Sequence, residues 1–255
     1  MDLLIHALEE IPEVRPGDDL VDLIISSSQK ESWKWADGDI VVLAQKIVSK
    51  SENRFVNLNE ITPGIKAISY SKYVEKDPRL IELILRESVK VLRTRKGLMI
   101  VEHRLGFICA NAGIDHSNIS TAGTLQDDWV LLLPENPDLT ASRIRITLEA
   151  KLGKSIGVLI IDSHGRTWRK GVVGTTIGLS GIPGIIDQRG KKDRNGFELK
   201  VTEIAAADEL AAGASLLMGQ VAEGRPIVIA KGFPYKLRDS NLSEIIRVES
   251  EDLFR

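Results

Sequence analysis

Residues 157–181 read GVLIIDSHGRTWRKGVVGTTIGLSG, and this stretch decides how we expect the chain to fold. It opens with an uninterrupted apolar run at 158–161, which is typical of a strand buried on both faces. The run stops at Asp162, so the sequence predicts a carboxylate at the end of a central strand. Glycines follow at 171, 174, 178 and 181, and we expect them to let the backbone approach a ligand closely. A charged turn with a glycine-rich return strand is the alternative.

The composition favours a globular protein of one large or two modest domains. A chain of 255 residues has ample material for a core, and its single cysteine, Cys109, is typical of a reducing compartment, so we expect the cytoplasm. The first residues do not resemble a signal peptide, and no apolar run nears the roughly 18 residues that span a bilayer. We expect no membrane partner. Lys plus Arg (34) nearly balances Asp plus Glu (36) and aromatics are 5%, so we expect no nucleic-acid partner either.

The first half of the chain alternates predicted helices and strands. An acid-capped helix is predicted to begin near Asp18, and a buried strand at 40–44 is predicted to continue into the alternating segment QKIVSK at 45–50. Asp77 followed by proline predicts a further helix start, with apolar spacing as far as residue 92. Strands are predicted at 97–101 and 130–133, separated by a polar loop.

The second half also contains both predicted helices and predicted strands, so the predicted fold class is α+β. Asp138 or Thr140 is predicted to cap a helix closed by Gly153. The following Lys and Ser are not part of a P-loop, because the glycine required at position 148 is replaced by leucine. A turn at 195–196 predicts a hairpin with a strand through 199 and 201, and a small-residue helix at 204–218 precedes a core strand at 227–230.

Two aspartates, Asp115 and Asp162, each follow an apolar segment and have hydroxyl or amide neighbours, Asn118 and Ser163. Oxygen donors of this kind suit Mg²⁺ or Mn²⁺, and the scattered histidines and lone cysteine offer no cluster for zinc. Nearby cations complete an inventory typical of phosphoryl transfer. These cations are Lys46, Lys50, Arg166 and Arg169.

Seven segments, taken in order, resemble the coenzyme F420:L-glutamate ligase family over nearly the whole chain. They read GDDLVDLI, DGDIVVLAQKIVSKSENR, GFICANAGIDHSN, LLPENPD, GVLIIDSHGRTWRKGVVGTTIG, RGKKDRNGFELKVTEIAAADELA and PIVIAKGF. The resemblance implies a mixed-sheet α+β ligase fold without a P-loop and a homodimer. It further implies a single domain over 1–255, with a smaller second subdomain whose boundary falls near 180–200. The C-terminal flavin-binding domain of some bacterial relatives is not expected.

The family implies a GTP-dependent amide ligase. Such an enzyme adds L-glutamate to the deazaflavin precursor F420-0 through an acyl phosphate, releases GDP, and extends the tail by gamma linkage. The resemblance also implies two divalent cations, Mg²⁺ or Mn²⁺, and stimulation by K⁺.

Residue roles carry over position by position. The implied metal ligands are Asp115, Asp162, Ser163 and Gln220, and the implied catalytic residues are Asp115, Asp162 and Lys50. The implied nucleotide contacts are Gln45, Lys46, Lys50, Asn118, the segment Glu10, Ile11, Pro12 and Glu13, and the segment beginning Met218, Gly219 and Gln220 and ending at Arg225. Ser163 stands where threonine is usual and keeps the hydroxyl. Gln220 stands where an acid is often found, so we expect a weaker second metal.

Guanidinium groups match phosphate and carboxylate, so we take Arg166, Arg169 and Arg189 as candidates for holding the acceptor and glutamate. Solvated turns are the alternative for these arginines. Two other functions remain open at this point. One is a ligase of the same fold that acts on a different carboxylic acid, and the other is a non-catalytic protein that binds GTP and metal.

Overall fold

A computed structural model describes residues 2–116, 120–121, 124–125 and 128–254, and it has the expected α+β class with a mixed central sheet. The strands are β1 (Leu4–Ala7), β2 (Ile40–Ala44), β3 (Phe55–Asn57), β4 (Ser88–Arg95), β5 (Leu98–His103), β6 (Ile108–Ala110), β7 (Ser120–Thr121), β8 (Thr124–Leu125), β9 (Trp129–Leu131), β10 (Gly157–Arg166), β11 (Arg169–Ser180), β12 (Ile186–Asp187), β13 (Glu203–Ile204) and β14 (Ile227–Lys231). The helices are α1 (Leu20–Lys30), α2 (Gln45–Ser51), α3 (Ile65–Val74), α4 (Pro78–Arg86), α5 (Pro137–Leu152) and α6 (Ala206–Met218).

The central sheet has five strands in the order β1, β14, β2, β10, β11. Only β2 and β10 in this sheet run parallel, with Gly157 opposite Ile40 and Ile161 opposite Ala44. The other neighbours are antiparallel. The parallel pair at the centre is therefore flanked by antiparallel strands on both sides.

Both faces of the central sheet are covered by helices, which is why β10 is an unbroken apolar run. Val158 and Ile160 pack in a core shared with α1, α2 and α5. Leu159 and Ile161 point to the opposite face, where α6 covers them. Successive side chains of a strand alternate between faces, so four apolar residues in a row require two apolar cores. The prediction of a strand buried on both faces is confirmed.

The prediction that this strand ends at Asp162 is wrong. β10 continues to Arg166, and Asp162 lies opposite Thr175 in the antiparallel pairing with β11. What ends at Ile161 is the parallel pairing with β2, because the chain leaves β2 at Ala44 to begin α2. The Asp162 carboxylate thus lies next to the point where the neighbouring strand β2 ends.

The segment QKIVSK is helix α2 and not the predicted strand continuation. Its apolar residues Ile47 and Val48 both pack in the core beneath the sheet. Adjacent residues of a helix can share a broad apolar face, whereas adjacent residues of a strand point to opposite sides. Lys46 and Lys50 therefore lie one helical turn apart, just beyond the carboxyl end of β2.

Helix boundaries follow the capping residues, with two corrections. Asp19 caps α1 by accepting from Val21 N at 2.8 Å, which confirms the acid-capped start. The start of α4 behind Asp77 is also confirmed, but α4 ends at Arg86 and the predicted continuation to residue 92 is strand β4. Asn136, not Asp138 or Thr140, caps α5, and Gly153 closes that helix in the left-handed conformation as predicted.

Two glycines of β11, Gly174 and Gly178, allow helices to pack closely and do not serve ligand approach. A Cβ on Gly174 would lie 2.5 Å from the Ala211 carbonyl oxygen of α6, and one on Gly178 would lie 2.4 Å from Pro137 Cβ at the start of α5. Gly181 is crowded in the same way by Arg145. None of these positions lines the large cavity described below, and neither does Gly171. The prediction that Gly174, Gly178 and Gly181 admit a ligand is therefore wrong, and for Gly171, where a Cβ would meet nothing within 4 Å, it stays a prediction.

A third apolar core lies away from the central sheet. It is formed by α3, α4 and the antiparallel strands β4, β5 and β6, with Met99, Val101 and Cys109 among its buried members. The mostly exposed segment that joins β12 to β13 contains the predicted hairpin, with a turn at Gly196 and an antiparallel bridge between Lys192 and Glu198. The predicted strand through Leu199 and Val201 is not formed. The subdomain boundary near 180–200 stays a prediction.

A partly buried charge network holds the third core to the rest of the chain. Glu87 follows α4, and its carboxylate lies 3.0 Å from Arg104 Nε and 3.3 Å from Arg54 Nη2. Arg54 also donates to the Leu133 carbonyl at 2.9 Å. Burial alone raises the pKa of Glu87, but the His103 imidazole, 3.7 Å away, and the guanidinium groups of Arg104 and Arg54 lower it to about 2.

We expect Glu87→Gln to destabilise the fold by about 3 kcal/mol at pH 7. The carboxyl group's pKa falls from 4.5 to about 2 on folding, so its stabilisation is complete above pH 4.5 and is lost as the pH falls toward 2. Urea unfolding at pH 7 and at pH 3 measures the difference between variant and parent. Glu135→Gln is the control, because Glu135 contacts Arg54 and Arg104 but is 66% exposed. Equal losses of unfolding free energy in Glu87→Gln and Glu135→Gln would contradict the conclusion that the lower exposure of Glu87 strengthens its ion pairs.

No helix within the described residues combines the length and apolar character needed to cross a membrane.

Candidate active site

A cavity of about 1420 Å³ opens beside the carboxyl ends of the two parallel strands. The first residues beyond β2 line it, and so does Asp162, the first residue of β10 beyond the parallel pairing. Parallel strands direct their carboxyl ends to the same edge of a sheet, where diverging connections leave room for a ligand. The opposite wall comes from β4, β5 and β6, so the cavity lies between the central sheet and the third core.

Asp115 and Asp162 both line this cavity although they are far apart in the sequence. Asp115 is fixed by two backbone hydrogen bonds with Leu131, at 2.9 and 3.0 Å. Burial raises the pKa of Asp115, the Lys46 ammonium opposes that rise, and the negative charge of Asp162 adds to it. The site therefore holds two carboxylates that repel each other, an arrangement that a cation would relieve.

Two neighbouring residues of α2 contact Asp115. Gln45 Nε2 donates to Asp115 Oδ2 at 2.7 Å, and Lys46 Nζ lies 3.3 Å from the same oxygen. Gln45 is 3% exposed, and its amide oxygen accepts from Ser49 Oγ at 2.9 Å. The structure thus brings Gln45 and Lys46 to the cavity, where their observed contacts orient a carboxylate.

Lys50 lies one turn further along α2 and is 8% exposed. Its ammonium group lies 3.5 Å from Glu13 Oε1, which belongs to the N-terminal segment that lines the same wall. Ile11 and Pro12 line the cavity with Glu13. A nearly buried lysine held at a cavity wall by one long ion pair is available to an incoming anion.

The loop that follows α6 forms another part of the wall, with Met218, Gly219, Gln220 and Arg225 among the lining residues. Gly219 has a φ of 73°, and Glu223 folds back beneath it to accept from Val221 N at 2.8 Å. Hydrogen bonds from several loop amides, that of Val221 first, lower the pKa of Glu223. Gln220 shares the cavity with both aspartates and with Ser163.

The outer part of the cavity is basic. Arg166 and Arg169 line it from the β10–β11 hairpin, as the sequence suggested. Arg93 and Arg95 line it from β4. The inner end therefore combines two carboxylates with two lysines, while the mouth is rich in guanidinium groups.

Three predicted residues are not placed at this cavity by the structure. Arg189 instead pairs with Asp187 at 2.7 Å and with Glu203 at 3.2 Å, on the exposed segment that joins β12 to β13. Glu10 does not belong to the lining residues, in contrast to the three residues that follow it. Asn118 lies outside the described residues. A role for any of the three stays a prediction.

Comparison with known proteins identifies the chain's relatives. The sequence profile of the F420-0:gamma-glutamyl ligase family matches residues 9–232. The chain belongs to this family. The coenzyme F420:L-glutamate ligase of Methanothermobacter thermautotrophicus is 41% identical over 257 residues, with 100% of each chain covered. The proteins of the same name from Methanopyrus kandleri and Archaeoglobus fulgidus are 41% and 37% identical, over 97% and 98% of this chain and 97% and 96% of their own. The resemblance inferred from the sequence is confirmed.

Membership of the F420-0:gamma-glutamyl ligase family raises the question of whether these residues fit divalent cations. Among the described residues, no three Asp, Glu, His or Cys side chains form a metal cage. Mg²⁺ often binds through one or two carboxylates together with water and substrate phosphates. Asp115 and Asp162 satisfy that requirement, and Ser163 and Gln220 add neutral oxygens at the same cavity. The donor set fits cations that a bound nucleotide helps to hold.

In this member of the ligase family, sequence reasoning missed His164 and the two arginines of β4. His164 Nε2 lies 3.0 Å from Asp162 Oδ2, and its ring packs against Phe107 with 5.3 Å between centroids. Residues two apart on a strand share a face, so the strand period would have paired His164 with Asp162. Arg93 and Arg95 were missed because the sequence pattern predicted a helix through residues 91 and 92, where the structure has strand β4.

Cys109 also lines the cavity without being a candidate nucleophile. Burial, and next the charge of Asp162, raise the pKa of its thiol to about 12. The thiol is therefore protonated at neutral pH.

Proposed function

We propose that this ligase joins L-glutamate to F420-0, using GTP, and then extends the glutamate tail by gamma linkage. The family description and the names of the relatives support the substrates, and the alignments with the Methanothermobacter thermautotrophicus and Methanopyrus kandleri proteins cover 97% or more of this chain. GTP as the nucleotide, and GDP as its product, come from the resemblance of the sequence segments to the family.

One observation carries the proposal: two carboxylates and two lysines from distant parts of the chain converge in one cavity. Lys46 and Lys50 supply positive charge for the phosphates of a nucleotide, and Lys46 already lies 3.3 Å from Asp115. Fixed cations beside anionic groups stabilise charge that shifts during phosphoryl transfer. The inner end of the cavity is thus suited to the nucleotide and to its metals.

The proposed chemistry has two steps. An oxygen of the acceptor carboxylate attacks the γ-phosphorus, the bond to the bridging oxygen breaks, and GDP leaves an acyl phosphate behind. The amine of glutamate then attacks the acyl carbon, loses a proton, and displaces inorganic phosphate to form the amide. Binding both reactants in one cavity supplies the proximity that each step requires. Arg166 and Arg169 are suited to hold anionic groups of the acceptor or of glutamate.

Asp115, Asp162, Ser163 and Gln220 would hold Mg²⁺ or Mn²⁺. Bound divalent cations supply charge neutralisation and orientation of the phosphates. Gln45 keeps the Asp115 carboxylate in place through its 2.7 Å hydrogen bond, and His164 does the same for Asp162 at 3.0 Å. We include stimulation by K⁺ in the proposal, and exchange of K⁺ for Na⁺ in the assay tests it.

Mass spectrometry of a reaction with F420-0, glutamate, Mn²⁺ and either GTP or ATP tests the function. We expect products heavier by one or more glutamyl units, formed with GTP and accompanied by GDP. Ligation of another acid with F420-0 left unchanged would contradict the proposed acceptor. GTP binding without turnover would contradict the proposed activity and would indicate a non-catalytic protein that binds the nucleotide.

We expect Gln220→Glu to lower the concentration of Mn²⁺ that gives half-maximal activity. The substitution adds a charged oxygen donor beside the two aspartates, and hard cations bind charged oxygens more tightly than amides. Gln220→Ala should lose less activity than removal of either aspartate. A metal titration of GTP-dependent activity makes the comparison. Unchanged metal dependence would mean that Gln220 lies outside the coordination sphere.

We further propose a homodimer, on the strength of the family resemblance. The small-residue helix α6 does not add to that support, because its alanines pack on the central sheet of the same chain. Light scattering at micromolar concentration should give twice the mass of one chain. A monomer under those conditions would contradict the proposal.

A further inference from the structure

The tip of the β10–β11 hairpin has an unusual residue. Arg166 pairs with Arg169, so the loop between the strands is only Thr167 and Trp168. Trp168 has a φ of 64°, which lies in the left-handed region. Two-residue hairpin loops place glycine or asparagine at such positions, and a bulky side chain there is an outlier. Folding by itself would favour a smaller residue than tryptophan.

Packing does not account for this tryptophan either. Trp168 is 87% exposed and belongs to none of the three apolar cores found among the described residues. Its contact is Phe254, with 6.3 Å between ring centroids in an edge-on arrangement. Phe254 is itself 53% exposed and is positioned by a hydrogen bond from its N–H to Asp252 Oδ1 at 2.9 Å. Two large rings thus stand together in solvent.

These two rings, which we call the aromatic rim, lie beside the mouth of the cavity: Trp168 is not itself a lining residue, but it contacts Phe254. Phe254 lines the cavity, and so do Thr167 and both arginines that flank the hairpin tip. The far wall contributes Arg93 and Arg95, which are exposed on β4. An exposed aromatic surface beside guanidinium groups matches a flat ring system that carries anionic groups.

The guanidinium groups beside the aromatic rim favour the acceptor over the nucleotide, because the anionic groups of a nucleotide are its phosphates, which the inner end of the cavity suits. The inner end carries Asp115, Asp162, Lys46 and Lys50, which suit metal-bound phosphates. The acceptor carboxylate must reach that end, while the rest of the acceptor extends outward. Aromatic side chains stack on extended heterocycles through their faces, and the contact is strongest when the rings are held in place.

We propose that Trp168 and Phe254 bind the flat aromatic ring system of the acceptor, while Arg93 and Arg95 bind the anionic groups attached to it. This inference rests on the proposed function, since it takes the acceptor to be a ring system joined to a carboxylate. It adds the residues that select this acceptor over an aliphatic acid.

Trp168→Gly is the decisive variant. It removes the ring and gives the turn the residue that its backbone favours, so the hairpin should form as well as in the parent. We expect the KM for the acceptor to rise roughly 10- to 100-fold, in keeping with the loss of one stacking contact. The KM values for GTP and glutamate should change less than about twofold. Trp168→Phe, which keeps a ring, should restore most of the affinity.

Tyr73→Ala is the matched control. Tyr73 is 51% exposed and contacts Tyr70 with 5.5 Å between centroids, but it belongs to α3 and does not line the cavity. All kinetic constants of this variant should equal those of the parent. Fluorescence titration with the acceptor, without GTP, gives its affinity for each variant directly.

Three outcomes separate the inference from the proposed function. Failure of the parent protein to ligate the acceptor would overturn the proposed function itself. Ligation by the parent with an unchanged acceptor KM in Trp168→Gly would overturn the aromatic rim alone. Conversion of a dimer to a monomer by Trp168→Gly, measured by light scattering, would assign the rings to an interface between copies of the chain and would also overturn it.

Discussion

Replacing either Asp115 or Asp162 by asparagine is expected to lower the rate of ligation by more than roughly 100-fold. Each change removes one negative charge from a cavity that we propose holds two divalent cations. The remaining amide keeps the shape and one oxygen acceptor, so Gln45 Nε2 retains its hydrogen-bond partner at position 115. Steady-state rates at saturating Mn²⁺ test the expectation.

The stability of these variants distinguishes a functional role from a structural one. Burial raises the pKa of Asp115, and the charge of Asp162 raises it further, so the folded state disfavours the ionised form. Such a group costs stability at pH values above its folded pKa, and asparagine removes that cost. We therefore expect Asp115→Asn to melt at or above the temperature of the parent. A large fall in melting temperature together with lost activity would indicate a structural role.

Asp22→Asn is the control for the change of charge. Asp22 forms an ion pair with Lys151 at 2.5 Å and is 67% exposed, away from the cavity. Its substitution should leave ligation unchanged. Direct measurement of Mn²⁺ binding to the parent and to both cavity variants completes the test. Near-parental turnover in either cavity variant would exclude that aspartate from the catalytic machinery.

Gly178→Ala is expected to destabilise the fold by about 3 kcal/mol or more. The added methyl group would lie 2.4 Å from Pro137 Cβ and 2.6 Å from the carbonyl carbon of the same residue. Neither atom can move far, because Pro137 begins α5 and the next residue, Asp138, accepts from Leu179 N at 2.9 Å. The helix and β11 would have to separate. Urea unfolding at neutral pH measures the loss.

Gly165→Ala is the matched control on the other strand of the hairpin. A Cβ at Gly165 would meet nothing within 4 Å, and no left-handed φ is required there. Replacing a glycine with alanine at such a position reduces the freedom of the unfolded chain, so stability should stay equal or rise slightly. Equal stability of the Gly178 and Gly165 variants would contradict the close packing of α5 on β11.

The central strand, the capped helix starts and the family could all be predicted from the sequence. Four consecutive apolar residues at 158–161 demand cores on two sides, and the structure supplies both. Asp19 and Asp77 mark helix starts because a side-chain carboxylate satisfies backbone N–H groups within the next three residues. These features depend on neighbours in the chain, so local patterns were sufficient to predict them.

The conformation of QKIVSK and the role of the β11 glycines depend on packing between segments that are distant in the sequence. Six residues with two adjacent apolar positions fit either a helix or a strand, and packing beneath the sheet selected the helix. A glycine permits close approach of any group, so the sequence could not distinguish a ligand from the backbone of α5 or α6.

The candidate site also has features that the sequence predicts and features that depend on the tertiary structure. The sequence identified Asp115, Asp162 and the lysines as chemically suitable residues, but the 3.3 Å contact between Lys46 and Asp115 joins positions 69 residues apart. The arginines at the mouth also come from two separate sheets. Local periodicity reports which side chains face a core, and it carries no information on which distant segments meet. That pairing is set by the packing of the central sheet against the third core.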